Sequence, residues 1–259
     1  MSYGICLLSV VPARKEPSGA SEMVTQLLFG ECYTVIENTG DWLKIITSHD
    51  HYECWISAKQ HSRLSDNTYK LQQKEKKVYA GDLVQVLHDT KQNTSFPLTI
   101  GATLPFINKN KLAFDENEFD FEGHQVEENN KGTADDIIST ALLFLNAPYL
   151  WGGRSPFGID CSGFSQLVYK LNGFKLPRDA YQQVEKGFPL SFADEAEKGD
   201  LAYFDNEEGR ITHVGILMGQ NQIIHASGKV RIDKFDHYGI FNVDTKKYSH
   251  HLRVIKRVL

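Results

Sequence analysis

No run in this 259-residue chain approaches the roughly 18 consecutive apolar residues that cross a bilayer as a helix. A basic excess is missing too. The 28 Lys and Arg stand against 33 Asp and Glu, and a net charge of -5 leaves no electrostatic footprint for nucleic acid or an anionic membrane surface. Ile5 to Val11 is apolar, but no Lys or Arg precedes it and no small-residue cleavage site follows, so a cytoplasmic protein is expected rather than an exported one. Cysteine is scarce. Cys6, Cys32, Cys54 and Cys161 show neither CxxC pairing nor metal-ligand spacing, so no zinc site, metal or organic cofactor is expected. The first three read as small buried apolar residues of a reducing compartment.

What is present is concentrated around the fourth cysteine. Gly152-Gly153-Arg154-Ser155-Pro156-Phe157-Gly158-Ile159-Asp160 leads into Cys161, and Phe164, Leu167, Val168 and Leu171 then recur at helical spacing up to Gly173. A thiol at a helix N-terminus sits in the positive end of the macrodipole, which favours the attacking thiolate and predicts iodoacetamide reactivity well below pH 8. His213 and His225 follow, each in a strand-like apolar run. A general base must reach the thiol, and a third group must orient the far ring nitrogen of that base. Strand side chains alternate faces, so the two histidines share a face only if the Gly219-Gln220-Asn221 turn has an odd count or a bulge intervenes; residue 215 then pairs with residue 225. Cysteine at a helix start with two histidines on a following hairpin is the constellation of a cysteine hydrolase. Each histidine taken alone would read as structural, and the other eight, His250 and His251 included, read as surface or structural residues.

The length calls for two or three domains. Short strand-like runs at Cys32–Ile36, Trp42–Ile46 and Tyr52–Ile56 predict a small all-β barrel over 1–70. Val24–Phe29 reads as either a strand or a helical turn. Lys74-Glu75-Lys76-Lys77 opens a second segment, 71–128, with strands at Asp82–Leu87 and Leu98–Phe106. The polar stretch Glu127 to Gly132 reads as a linker. Thr133, Asp135 and Asp136 then start a helix whose buried face carries Ile137, Ile138, Ala141, Leu142 and Leu145, and Pro148 ends it. Strands at Asp200–Phe204, His213–Met218 and Gln222–Ala226 complete an α+β domain.

Tyr149-Leu150-Trp151-Gly152-Gly153, Gly158-Ile159-Asp160-Cys161-Ser162-Gly163, Gly199-Asp200-Leu201, His213-Val214-Gly215-Ile216 and Ile224-His225-Ala226 fall in one order that resembles the NlpC/P60 cysteine peptidases over about 131–259. The resemblance implies a papain-like fold and cleavage of bacterial cell-wall peptides after γ-linked D-Glu. It makes Cys161 the nucleophile, His213 the base and His225 the orienting residue. Tyr149 and the Cys161 amide would be donors to the oxyanion. Asp160 and Ser162 are candidates for polar contacts to the peptide, with helix capping by Asp160 as the alternative. Arg178 would hold a substrate carboxylate or, with better reason, pair with Asp179.

Arg14 to Glu31, Asp41-Trp42 and Tyr52-Glu53-Cys54-Trp55-Ile56 resemble bacterial SH3-like domains, in particular those of YkfC-type γ-D-glutamyl-L-diamino-acid endopeptidases. Two such barrels before the peptidase domain are implied, the second inferred mainly from the first. In that group an acidic residue and a tyrosine of the first barrel take the substrate's ammonium, and motif position gives Glu22 and Tyr52. Cys54 stands where that motif commonly has Gly. The expected partner is therefore a short peptide, L-Ala-γ-D-Glu followed by a diamino acid. A broader wall hydrolase and a non-catalytic SH3-like peptide-binding protein are the alternatives.

Overall fold

The computed structural model describes residues 2–191 and 193–259. Two compact units emerge: Met1–Asn130 together with Gly152–Pro156, and Lys131–Trp151 together with Phe157–Leu259. Among the described residues no helix is long and apolar enough to cross a membrane.

The first unit is built from β1 (Ser2–Ile5), β2 (Val10–Arg14), β3 (Met23–Leu28), β4 (Cys32–Asn38), β5 (Trp42–Thr47), β6 (Glu53–Ser57) and β7 (Ser62–Leu64). They join as an antiparallel sheet in the order β3-β2-β6-β5-β4-β1-β7, and a six-strand barrel is present. Alternation along β5 explains the layering: Leu43, Ile45 and Thr47 are buried, while Trp42, Lys44 and Ile46 are half-buried. Leu43 and Ile45 join Cys6, Val11, Ala13, Leu27, Tyr33, Cys54 and Ile56 in one apolar cluster. Val24–Phe29 therefore resolves as a strand.

Residues 1–70 are not all-β. Helix α1 (Asp66–Lys74) starts inside them, with the Ser65 hydroxyl accepting from Thr68 N. Its Ser-Asp-Asn-Thr start is a capping signal that the charged run after it obscured. Further on come β8 (Val78–Ala80), β9 (Val84–Asp89), β10 (Thr94–Thr99), β11 (Lys111–Phe114), β12 (Asn117–Phe121) and β13 (Gln125–Glu127). These form a four-stranded sheet, β10-β9-β12-β11, and a ribbon of β8 with β13. The strand expected at Leu98–Phe106 lies earlier. Gly101 at φ 79° breaks the apolar run, and the strand is Thr94–Thr99.

The first unit also contains β14 (Arg154–Ser155). Arg154 is 3 % exposed and forks onto Glu31, with Nη1 donating to Oε2 at 2.9 Å and Nη2 to Oε1 at 3.0 Å. Its amide donates to Gln26 Oε1 and its Nη1 also to Gln26 O, each at 2.7 Å. Gly152 holds φ 76°, and a Cβ there would lie 2.3 Å from Met23 O, so no larger residue fits.

The second unit contains α2 (Ala134–Leu143), β15 (Gly158–Ile159), α3 (Cys161–Leu171), α4 (Ala180–Gln183), β16 (Phe188–Pro189), β17 (Leu201–Asp205), β18 (Ile211–Gly219), β19 (Gln222–Ser227), β20 (Lys229–Asp236), β21 (Gly239–Asn242) and β22 (Lys247–Arg257). The sheet runs β16-β22-β17-β18-β19-β20-β21, with β21 also paired to β22. Thr133 and Asp136 close a capping box at the start of α2. Of its expected apolar face only Ile137, Ile138 and Ala141 are buried. Leu142 and Leu145 are exposed, because α2 ends at Leu143 and Phe144 turns inward instead, edge-on to Phe164 of α3. Helix α3 is buried along its whole length and packs on α2, β18 and β19.

Candidate active site

Cys161 is the first residue of α3, and Asp160 is its N-cap, accepting from Gly163 N at 2.7 Å. Beneath that turn lies Arg178, 1 % exposed. Its guanidinium donates to Asp160 Oδ1 (3.0 Å), Asp160 Oδ2 (2.7 Å) and Ser162 Oγ (2.9 Å). Sequence adjacency suggests a pairing of Arg178 with Asp179; the fork onto Asp160 is the one described, and Asp179 stands at the N-cap of α4. Gln183 reaches back from α4 and donates to Ser162 O at 2.9 Å, while Ser165 Oγ donates to Gln183 Oε1 at 2.8 Å. A planar, bidentate Arg–carboxylate pair and two amide contacts thus fix the turn that presents the thiol.

The thiol is buried, with Sγ 4.0 Å from Thr212 O in β18. Burial pushes the Cys161 thiol up to about 12, and the Asp160 carboxylate adds to the rise. This opposes the thiolate that the helix start alone would favour. Desolvation of the charged form and the adjacent carboxylate outweigh the pull of the helix start.

Strands β18 and β19 carry the histidines. Gly215 pairs with His225, Ile216 with Ile224 and Leu217 with Ile223; Met218 is then skipped and Gly219 pairs with Gln222. Gln220 and Asn221, at φ 51° and 57°, make a tight two-residue turn of the kind that suits hairpin twist. Of the two devices that put both histidines on one face, the chain uses the bulge. His213 and His225 are then diagonal neighbours, with ring centroids 5.1 Å apart and His213 Nε2 2.9 Å from His225 Nδ1. Gly215 keeps the space between the strands open; a Cβ there would lie 2.6 Å from Ile223 Cδ1 and 3.0 Å from His225 Cβ.

Two further residues join the group, and neither was singled out in the sequence. His225 Nε2 lies 3.1 Å from Asp233 Oδ2 on β20. Asp233 also accepts from Arg231 Nε (2.7 Å), Arg231 Nη2 (2.9 Å) and Val243 N (2.9 Å). Burial raises the Asp233 carboxyl, but the bonds from His225, Arg231 and Val243 outweigh it and hold the group well below the usual carboxylate range. From β22, His250 stacks on His213 with centroids 4.1 Å apart and planes 22° from parallel. Burial, then His250 and His225, hold His213 well below the ordinary imidazole value. Burial also lowers His225, against Asp233, and His250 falls to about 4. The signal for Asp233 was its parity: two residues after Arg231, which pairs with His225, it lies on the same face of β20.

His213, His225 and His250 bring one ring nitrogen each within 4.8 Å of the others, as a metal site would. The His213 and His225 nitrogens are turned onto each other and the second His225 nitrogen onto Asp233, so these rings form a hydrogen-bonded chain rather than an open ligand set. Tyr149 belongs to the same unit. Burial and then Cys161 raise its phenol, which stays an O–H donor at neutral pH. The other two sequence candidates, Glu22 and Tyr52, belong to the first unit. Glu22 is exposed with Lys15 Nζ 3.5 Å from its carboxylate, and Tyr52 packs half-buried against the barrel cluster.

A model of the NlpC/P60 family matches residues 146–253, and a bacterial dipeptidyl-peptidase Sh3 domain matches residues 13–60. The chain is 34 % identical over 226 residues to the gamma-D-glutamyl-L-lysine dipeptidyl-peptidase of Bacillus subtilis, a match covering 78 % of this chain and 71 % of that one. It is 31 % identical over 252 residues to dipeptidyl-peptidase 6 of Lysinibacillus sphaericus, covering 85 % and 87 %. The crystal structure of an NlpC/P60 family protein from Bacillus cereus superposes over the whole of both chains with a TM-score of 0.86 at 22 % identity, a likeness of fold.

Proposed function

Because the chain belongs to the NlpC/P60 family of cysteine peptidases, we propose that it cleaves the bond between γ-D-glutamate and the following L-diamino acid in short cell-wall peptides with a free N-terminal L-Ala, in the recycling of murein peptides. The observation that carries the chemistry is the contact of His213 Nε2 with His225 Nδ1, which leaves His213 Nδ1 as the ring nitrogen available to a thiol. Similarity to a gamma-D-glutamyl-L-lysine dipeptidyl-peptidase along 78 % of the chain supports the substrate class.

In this reading the Cys161 S–H proton passes to His213 Nδ1 as Sγ attacks the γ-carbonyl carbon. Resting thiol and imidazole are both neutral, since one is raised and the other lowered, so proton transfer and attack go together. The developing oxyanion is taken by the Cys161 amide and the Tyr149 hydroxyl, a donor type whose loss costs about 100- to 1000-fold in rate. The His213 Nδ1 proton then goes to the leaving amine and the C–N bond breaks, leaving a thioester on Cys161. Water gives a proton to His213 Nδ1 and its oxygen to the acyl carbon, and the proton returns to Sγ as the thioester breaks. Asp160 and Ser162, held by Arg178, support a polar contact to the peptide from the turn before the thiol. Glu22 and Tyr52 take the ammonium, a charge-assisted contact.

Cleavage of L-Ala-γ-D-Glu-diaminopimelate and of its N-acetylated form, followed by mass spectrometry, tests the reading. Cutting of the free-amine peptide alone, after D-Glu, is expected, and Glu22→Gln should remove the preference. Equal cutting of both peptides would discard ammonium recognition and favour a broader wall hydrolase. No cutting of either would discard the substrate.

A further inference from the structure

A chain of hydrogen-bonded imidazoles can carry its protons in either of two directions, and heavy-atom distances are the same for both. The direction decides whether this one can work. His213 Nδ1 accepts a thiol proton only if it holds a lone pair, which puts the ring proton on Nε2. His213 Nε2–H must then donate to His225 Nδ1 across the 2.9 Å contact, and the His225 proton must sit on Nε2, facing Asp233 at 3.1 Å. Reversing the chain would leave His213 Nδ1 protonated and unable to act as base.

The group at the far end settles the direction. Three N–H donors that cannot accept converge on Asp233: Arg231 Nε, Arg231 Nη2 and the Val243 amide. Oδ2 takes the first of these and Oδ1 the other two, so a proton on either oxygen would face a donor. Arg231 is itself anchored, with Nη2 2.8 Å from Asp244 Oδ2. Asp233 itself is 1 % exposed. It can only accept, and His225 Nε2 can only donate to it. Resting on the proposed roles of Cys161, His213 and His225, we propose that Asp233 is a positioning residue that sets the direction of the whole proton chain and so keeps His213 Nδ1 free to act as base. Asp233 touches neither thiol nor substrate and acts through two rings.

The test is 15N spectroscopy of the wild-type protein with labelled histidine at neutral pH, where protonated and bare ring nitrogens have separate signals. Both His213 and His225 are expected as Nε2–H tautomers; a His213 carrying its proton on Nδ1 would overturn the proposal. Asp233→Asn supplies the second arm. Its carboxamide can turn an N–H toward His225 Nε2 and reverse the chain, so the His225 proton should move to Nδ1. With substrate saturating, kcat should fall about 1000-fold while KM stays within about threefold, as when a buried carboxylate behind a catalytic imidazole is neutralised. Unchanged tautomers, or kcat within fivefold of wild type, would sink the idea. Should the variant fail to fold, the wild-type spectrum alone decides. Correct tautomers in a wild-type protein that cuts no γ-D-glutamyl peptide would remove the substrate reading and leave the proton chain standing.

Discussion

Asp160 holds a position where local and tertiary demands coincide. Its carboxylate caps α3 through Gly163 N and at the same time neutralises Arg178, which is 1 % exposed. Removing the cap alone costs about 1 kcal/mol. Leaving a buried guanidinium without its counter-charge costs about 3–5 kcal/mol. Asp160→Ala should therefore lower stability by about 3–5 kcal/mol in urea unfolding. The double variant Asp160→Asn with Arg178→Met, which removes both charges, should recover most of that loss. If Asp160→Ala leaves the unfolding midpoint unmoved, Arg178 is not held as described. The aspartate just before Cys161 was legible as a helix cap. The arginine 18 residues away was not assigned to it, because sequence adjacency pointed to Asp179.

At the scale of the element, the β18–β19 hairpin shows what a parity argument can and cannot reach. The pairing of residue 215 with residue 225 follows from requiring both histidines on one face, and that is the observed register. The bulge at Met218 that achieves it leaves no clear mark, since nothing about a methionine announces a residue that the ladder skips. Excising Met218 should leave Gly215 opposite His225 and keep kcat/KM within about tenfold. Inserting one alanine between Val214 and Gly215 should turn His213 to the other face and lower kcat/KM by more than about 100-fold. Steady-state rates of the two variants test the register. Equal rates would mean that the shared face is not needed. Elements with a repeating pattern were legible: β4, β5, the three strands β17 to β19, and α3 with its cap and its glycine stop. Those whose identity depends on distant partners were not. Helix α1 is short and charged, the outer leucines of α2 have no layer to cover them, and β20 to β22 alternate too weakly to stand out. Asp233 and His250 were missed because their strands were missed.

For the whole molecule, the histidine cluster ties stability to acidity. His213, His225 and His250 are all held below the ordinary imidazole value in the folded state. Below about pH 6.5 the unfolded chain therefore binds more protons than the folded one, and stability falls as pH falls. Each histidine that stays neutral should remove about 2 kcal/mol between pH 6.5 and pH 5. Asp233, held below the carboxylate range, adds a loss only further into acid. Urea unfolding at pH 7, 6 and 5 should show the decline, and His250→Phe, which keeps a ring stacked on His213, should make it shallower by one histidine's share. A flat profile would contradict burial of neutral imidazoles.

Cys6, Cys32, Cys54 and Cys161 are all buried, unpaired and pushed up to about 12. Burial raises all four in the same direction, so acidity alone gives an electrophilic inhibitor little reason to prefer Cys161, the proposed nucleophile. On the proposed roles, selectivity would come from shape: a warhead carried on a substrate-like scaffold would be delivered to Cys161, with His213 as its proposed base. For this enzyme a useful covalent probe is a substrate mimic first and a reagent second.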